Sequence, residues 1–344
     1  MASDALFNEI PSFPDDVPVA AMRNIPLSGL LSGDAETAQL LLAACKTLGF
    51  FFLDLNEDPL GRTMIGEVDQ LFRITQTLME LPDEVKQNFR SSRENVWGFK
   101  SRGGSKTETG EDDRFAMFNL AQDMLTGIKE LPPLPAVLQP ELGLLTSFMK
   151  HCQLIIATIS RTLALQLSLP ADTFSSLQSP TKPSGTALRM IKSFASPRAE
   201  DQRTSMVHHT DFGTITLLAN LLGGLQVLNP GADASDENAW SWVRPQPGCL
   251  IVNLGDALVQ WTGGLLRSNV HRIRYPPGEQ VYHDRYSFAV LGRPELNASM
   301  KRMVGPASEE DSDMTAWEWE LKKRMSIIEG KAFVTSPAGK ALRV

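Results

Sequence analysis

Cysteine is scarce in this chain, with 3 residues in 344, and no two of them stand in C-x-x-C spacing. Cys45, Cys152 and Cys249 all sit in apolar patterns, which argues against a disulfide framework or a cysteine-rich zinc module and fits a reduced, cytoplasmic protein. An excess of basic residues is also missing. The net charge is -7 and the pI is about 5.4, so no concentrated basic face is on offer and nucleic acid is not an expected partner. The acidic run Glu309-Glu310-Asp311, with Asp313 close by, reads as a solvated loop. Met1 to Asp16 lacks an apolar core with basic flanks, so no signal peptide is expected. The most apolar stretch, Leu154 to Leu169, is interrupted by Arg161 and Gln166 and reads as too short to span a bilayer, so no membrane partner is expected. No Pro-, Ser- or Gly-rich linker divides the chain and no repeat is evident. A single domain over 1–344 is expected, with a helix-rich part at 1–175, a β-rich part at 176–300, and a C-terminal helix and tail at 301–344.

Histidine is nearly as rare, and this scarcity sharpens the search for a metal site. The chain has five: His151, His208, His209, His271 and His283. His209 and Asp211 are two residues apart, a spacing that in a β-strand turns both side chains to one face. An imidazole and a carboxylate so placed, joined by a third ligand from a distant strand, form the two-histidine, one-carboxylate face that holds Fe(II) with open positions. His271 is the natural third ligand, because Ser268 to Ile273 is a short alternating run. His283 follows the turn-rich Tyr275-Pro276-Pro277-Gly278-Glu279, which disfavours it. His208 would face the other side of the strand, and His151 lies inside an apolar helical pattern.

The two halves of the sequence have different periods. Ala35 to Lys46, Pro59 to about Leu81, and about Pro140 to Leu169 repeat apolar residues at three- and four-residue intervals, as helices do. Ala187 to Phe194, Thr214 to Ala219, Leu225 to Leu228, Cys249 to Asn253 and Tyr286 to Leu291 are short strand-like runs between Gly, Pro and Asn turns. Thr315 and Glu318 have capping-box spacing and predict a last helix to about Ile328. Trp317 and Trp319 cannot share a face of that helix, so at least one is expected to meet another part of the molecule. Ser101 to Asp113, Ser179 to Gly185 and Pro230 to Asn238 read as surface loops, the first as a candidate flap over the site.

These segments together resemble the Fe(II)- and 2-oxoglutarate-dependent oxygenase superfamily, in its isopenicillin N synthase-like branch. The residues that carry the likeness are Thr47 to Leu53, His209-Thr210-Asp211-Phe212-Gly213 with Thr216-Leu217-Leu218, Gly224 to Leu228, Val252 to Asp256, Ser268 to Ile273, and Arg285-Tyr286-Ser287. The likeness runs nearly end to end. It implies a mainly β fold with flanking helices, built on a distorted double-stranded β-helix of the jelly-roll, cupin-like kind. It implies Fe(II) as cofactor, with 2-oxoglutarate and O2 as co-substrates and succinate and CO2 as products.

The resemblance gives Arg285 and Ser287 the distal carboxylate of 2-oxoglutarate, a task that suits a guanidinium fork with a hydroxyl beside it. A tyrosine usually reaches the same group from an earlier strand. Here Ser193 stands at that position, with Lys192 as the other candidate. Asn253, Asp256 and Gln226 lie in family-like segments and are candidates to support the ligands, or simply turn and strand residues. The substrate pocket is sought among Trp97, Phe99, Phe115, Met117, Phe118, Met190, Phe212 and Phe288, each equally a candidate for the core. The plant-type Asn-x-Tyr-Pro signature is absent before His209, so the chain is closer in style to fungal and bacterial natural-product oxygenases. The expected substrate is a small, fairly apolar biosynthetic intermediate, and oligomeric state is left open. Three rival readings stand beside this one: an isopenicillin N synthase-like oxidase that uses no 2-oxoglutarate, a catalytically silent cupin-like binding module, and a zinc hydrolase.

Overall fold

Strand-forming segments of both halves of the chain meet in one large sheet. The computed structural model describes residues 3–92, 95–104, 112–196, 204–305 and 313–328. Its strands are β1 (Arg23–Pro26), β2 (Phe50–Asp54), β3 (Gly98–Lys100), β4 (Phe115–Ala121), β5 (Ala187–Ser193), β6 (Thr204–His209), β7 (Ile215–Asn220), β8 (Leu225–Leu228), β9 (Trp240–Trp242), β10 (Cys249–Leu254), β11 (His271–Arg274) and β12 (Arg285–Leu291). Eight strands form the major sheet in the order β1-β2-β10-β7-β12-β5-β4-β3, and four form a minor sheet in the order β6-β11-β8-β9. Apart from the parallel β1–β2 pair the ladders are antiparallel, as a double-stranded β-helix requires.

Three helices cover one face of the major sheet, and each starts or packs where the sequence supplies the means. Asp34 accepts the Thr37 N–H at the start of Ala35–Thr47. Asp58 accepts from Leu60 ahead of Pro59–Met79, whose first residue is a proline with no N–H to satisfy. The third, Leu142–Gln166, has 25 residues and is long and apolar enough to cross a membrane by length and composition, more than the stretch Leu154 to Leu169 alone indicates. Here Leu145, Phe148, Met149, Cys152, Ile155 and Ile159 of this helix are buried in the protein core. Its His151 receives a local partner: Glu67, from the helix Pro59–Met79, meets His151 Nδ1 at 2.8 Å and accepts from the Ser147 hydroxyl at 2.6 Å.

Register decides which side chains of the major sheet face the helices. Phe99 pairs with Phe118, Phe118 with Met190, and Met190 with Phe288, so all four share a face. The Phe288 ring packs at 5.0 Å from Phe72 and 5.7 Å from Phe148, both on helices. That fixes the face as the outer, helix-covered one. Phe99, Phe118, Met190 and Phe288 are therefore core residues and do not line the substrate pocket, because alternation sends them away from Arg285 and Ser287 on the same strand system. The inner face meets the minor sheet across a second core of Phe50, Phe52, Leu225, Val227, Val243, Cys249 and Ile251.

Candidate metal centre

β6 ends at His209, and His271, at the start of β11, lies directly across the ladder from it. The two imidazole rings are 4.3 Å apart. Asp211, just past the strand end, brings Oδ1 to 3.9 Å from His209 Nε2 and 4.0 Å from His271 Nε2. One donor atom from each of the three residues lies within 4.8 Å of the others. His208 turns to the other side of β6, where its ring is 6.4 Å from that of Trp240, and His283 is exposed.

The turn that carries Asp211 is built on close backbone approaches. Gly213 and Gly255 leave no room for a side chain: a Cβ would stand 2.1 Å from Gly292 O in the first case and 2.2 Å from Gly213 O in the second. The short helix Asp256–Trp261 abuts this turn, with Asp256 N–H donating to Asp211 O at 2.8 Å and Ala257 N–H to Gly213 O at 3.0 Å.

Hydrogen bonds aim the donors. Asp211 Oδ2 accepts from Thr216 Oγ1 at 2.7 Å and Asn253 Nδ2 at 2.8 Å, which leaves Oδ1 facing the two histidines. Burial of Asp211 raises its pKa, but His271, His209, Asn253 and Thr216 together outweigh this and hold it at about 2, so the carboxylate is ionised. His271 Nδ1 lies 3.2 Å from Asn269 O. A carbonyl only accepts, so Nδ1 carries the proton and Nε2 presents its lone pair to the cluster. The Phe50 and His271 rings pack in a T-shaped pair with centroids 5.4 Å apart.

Deeper between the sheets, Arg285 is 2 % exposed. Its Nε donates to Gly223 O at 2.7 Å and its Nη1 to Ser287 Oγ at 2.9 Å. Nη2 is buried with no hydrogen-bond partner among the described residues, and burial pulls the guanidinium down to about 10. Ser193 faces Arg285 across the β5–β12 ladder. Lys192 points to the opposite side, where it meets Glu80 at 2.5 Å and Asp284 at 2.8 Å, so it does not reach the arginine fork. Phe115 and Met117 share the inner face with Ser193, and Phe115 is capped by the Lys100 ammonium at 3.9 Å. Trp97 is half-buried next to β3, and Phe212 is half-buried with the Lys323 ammonium 5.8 Å from its ring. Ser101 to Asp113 falls largely outside the described residues.

Residues 187–294 match the 2OG-Fe(II) oxygenase superfamily, and residues 17–133 match the N-terminal region of the non-haem dioxygenase in morphine synthesis. The 2-oxoglutarate-dependent dioxygenase ecdG of Aspergillus rugulosus is 30% identical over 292 residues, which cover 81% of this chain and 83% of the relative. The chain belongs to the 2OG-Fe(II) oxygenase superfamily. Fe(II) and 2-oxoglutarate are thus its cofactor and co-substrate, and it is a dioxygenase. A second relative, the 2-oxoglutarate-dependent dioxygenase AFUA_1G01000 of Aspergillus fumigatus, is 28% identical, with 89% of this chain and 86% of the relative covered. The fold is that of a full-length Neurospora crassa protein solved in complex with alpha-KG, at a TM-score of 0.74 and 23% identity, covering 90% of this chain and 97% of that one. The residues present suit both small partners of the family. Two imidazoles and an ionised carboxylate are the donor set of non-haem Fe(II), and the unpartnered Nη2 of Arg285 is a buried cationic donor that a carboxylate would satisfy.

Proposed function

We propose that this oxygenase binds Fe(II) through His209, Asp211 and His271, grips the distal carboxylate of 2-oxoglutarate with Arg285 and Ser287, and oxidises a C–H bond of a small, fairly apolar biosynthetic intermediate. The observation that carries this reading is the pairing of the three-residue donor cluster with a buried arginine whose Nη2 has no partner among the described residues. Bound iron supplies the activation of O2, coupled to decarboxylation of 2-oxoglutarate to succinate and CO2. The chain's own residues do the rest. Thr216 and Asn253 hold one oxygen of Asp211 and present the other to the metal. Asn269 fixes the His271 tautomer. Arg285 orients the co-substrate, helped by the Ser287 hydroxyl, which accepts from Nη1 and keeps its own proton to donate. The inner face around Phe115 and Met117, with Trp97 at β3 and Phe212 beyond Asp211, supplies apolar surface for the substrate. The Neurospora crassa protein has also been solved with alpha-KG and thymine, which supports a small-molecule substrate, and the match of residues 17–133 to the N-terminal region of a dioxygenase in morphine synthesis supports the biosynthetic setting.

An anaerobic titration of the Fe(II)-loaded protein with 2-oxoglutarate tests this. A saturable visible metal-to-ketoacid band is expected, together with a large weakening in Arg285→Leu. Bound iron without any band would favour the oxidase that uses no 2-oxoglutarate.

A further inference from the structure

Thr210 stands between the two proposed ligands of the turn, and its side chain turns away from the donor cluster. Its Oγ1 donates to Asp256 Oδ2 at 2.9 Å. The same oxygen receives the ammonium of Lys323 at 2.5 Å, with the two charged side chains only 3% and 0% exposed. Asp256 therefore grips the turn twice, by side chain at Thr210 and by backbone at Asp211 O. Lys323 comes from the C-terminal helix Ala316–Ile328, far along the chain from both. That helix is docked independently by the Arg293–Glu320 ion pair and by backbone bonds from Ala316 to Ala298 and from Trp317 to Leu296. A buried carboxylate is costly unless paired and hydrogen-bonded, so Asp256, which anchors Thr210, depends on the lysine beside it.

We infer that Lys323, acting through Asp256 and Thr210, is a positioning residue for the iron site, so that the C-terminal helix sets the geometry of the His209–Asp211 turn and its affinity for metal. The inference rests on the ligand assignment proposed above. Partners one layer behind metal ligands typically govern metal affinity by roughly 10- to 100-fold.

Co(II) is the probe, bound to the full-length protein, because its visible bands report ligand geometry without turnover. Lys323→Met is expected to raise the Co(II) Kd roughly 10- to 100-fold and to change the bands. Lys323→Arg, which keeps the charge, is expected to restore both. Glu320→Gln breaks the other ion pair of the helix and is expected to change neither. If Lys323→Met melts too low to be loaded, the double variant Asp256→Asn/Lys323→Met removes both charges together and is expected to recover its melting temperature while still binding Co(II) weakly. Parental affinity and bands in Lys323→Met or in the double variant would overturn the inference, as would equal weakening by Glu320→Gln, which would reduce the helix to packing alone. The ligand assignment fails by a different sign: Asp211→Ala would then bind Co(II) as the parent does, and the inference would fall with it.

Discussion

Arg285 carries a cost in the ligand-free protein that only an anion removes. Its guanidinium is buried, lacks a carboxylate partner among the described residues, and leaves Nη2 unsatisfied. Its pKa in the fold, about 10, lies below the ordinary arginine value, so folding disfavours the charged form; the penalty is fully present below about pH 10 and fades as pH rises towards the unfolded value. Replacing Arg285 with Met should therefore leave the melting temperature of the metal-free protein at neutral pH unchanged or raise it. The extra stabilisation that 2-oxoglutarate gives the Fe(II)-loaded protein should vanish in the same variant. Thermal melts with and without 2-oxoglutarate decide the matter, and a variant that melts several degrees lower yet still responds to 2-oxoglutarate would refute it. At this scale the sequence spoke where the geometry is local. His209 and Asp211 announce themselves by an i, i+2 spacing, and Arg285 and Ser287 by another. Thr216, one layer behind Asp211, carries no such mark, because its role comes from a turn that folds back on its own strand. Lys323 is silent for the same reason: it is the middle one of three consecutive cations, Lys322-Lys323-Arg324, and its partner is fixed only by tertiary packing.

The elements were legible where their faces or flanking turns contrast with them, and length alone did not decide it: the four-residue β8 stood out between its turns, while the seven-residue β4, buried at all but one position, showed no alternation. The helices at Ala35–Thr47, Pro59–Met79 and Leu142–Gln166 each pack one apolar side, and their periods show it. The capping box predicted for the last helix is present, with Thr315 N–H donating to Glu318 Oε2 at 2.9 Å and Glu318 N–H to Thr315 Oγ1 at 3.3 Å. Of its two tryptophans, Trp319 packs against the core and Trp317 is 48% exposed. The short strands β1, β3 and β9 have three or four residues, too few for alternation to register. Phe99, Phe118, Met190 and Phe288 misled for another reason: composition names a residue as apolar, but only register tells which of two buried faces it joins. Phe288 gives the test. Truncation to Ala should cost about 3–5 kcal/mol of stability, the range for emptying a buried aromatic site, while the folded fraction binds 2-oxoglutarate with parental affinity. Urea denaturation and an anaerobic titration measure the two quantities. Weakened co-substrate binding at parental stability would return Phe288 to the pocket.

Across the whole molecule, the helix-rich first part and the β-rich second part share the major sheet. β1 and β2 lie at one edge, with β2 paired to β10, and β3 and β4 lie at the other, with β4 paired to β5. A fragment beginning at 176 would lose both sets at once and expose two unpaired strand edges together with the apolar outer face. It would also lose Phe50, whose ring supports His271, and Phe51 and Phe52, which face β10 across the ladder near Asn253, the donor to Asp211. The iron site thus depends on residues from the part of the chain that contributes none of the proposed ligands. We expect one cooperative unfolding transition for the full chain, coincident by far-ultraviolet circular dichroism, tryptophan fluorescence and release of bound Co(II). We expect the fragment 176–344 to remain unfolded and to bind no Co(II) at the Asp211 site. Two separated transitions, or a folded fragment that binds the metal, would show that the β-rich part is a domain in its own right and that the N-terminal strands only cover it.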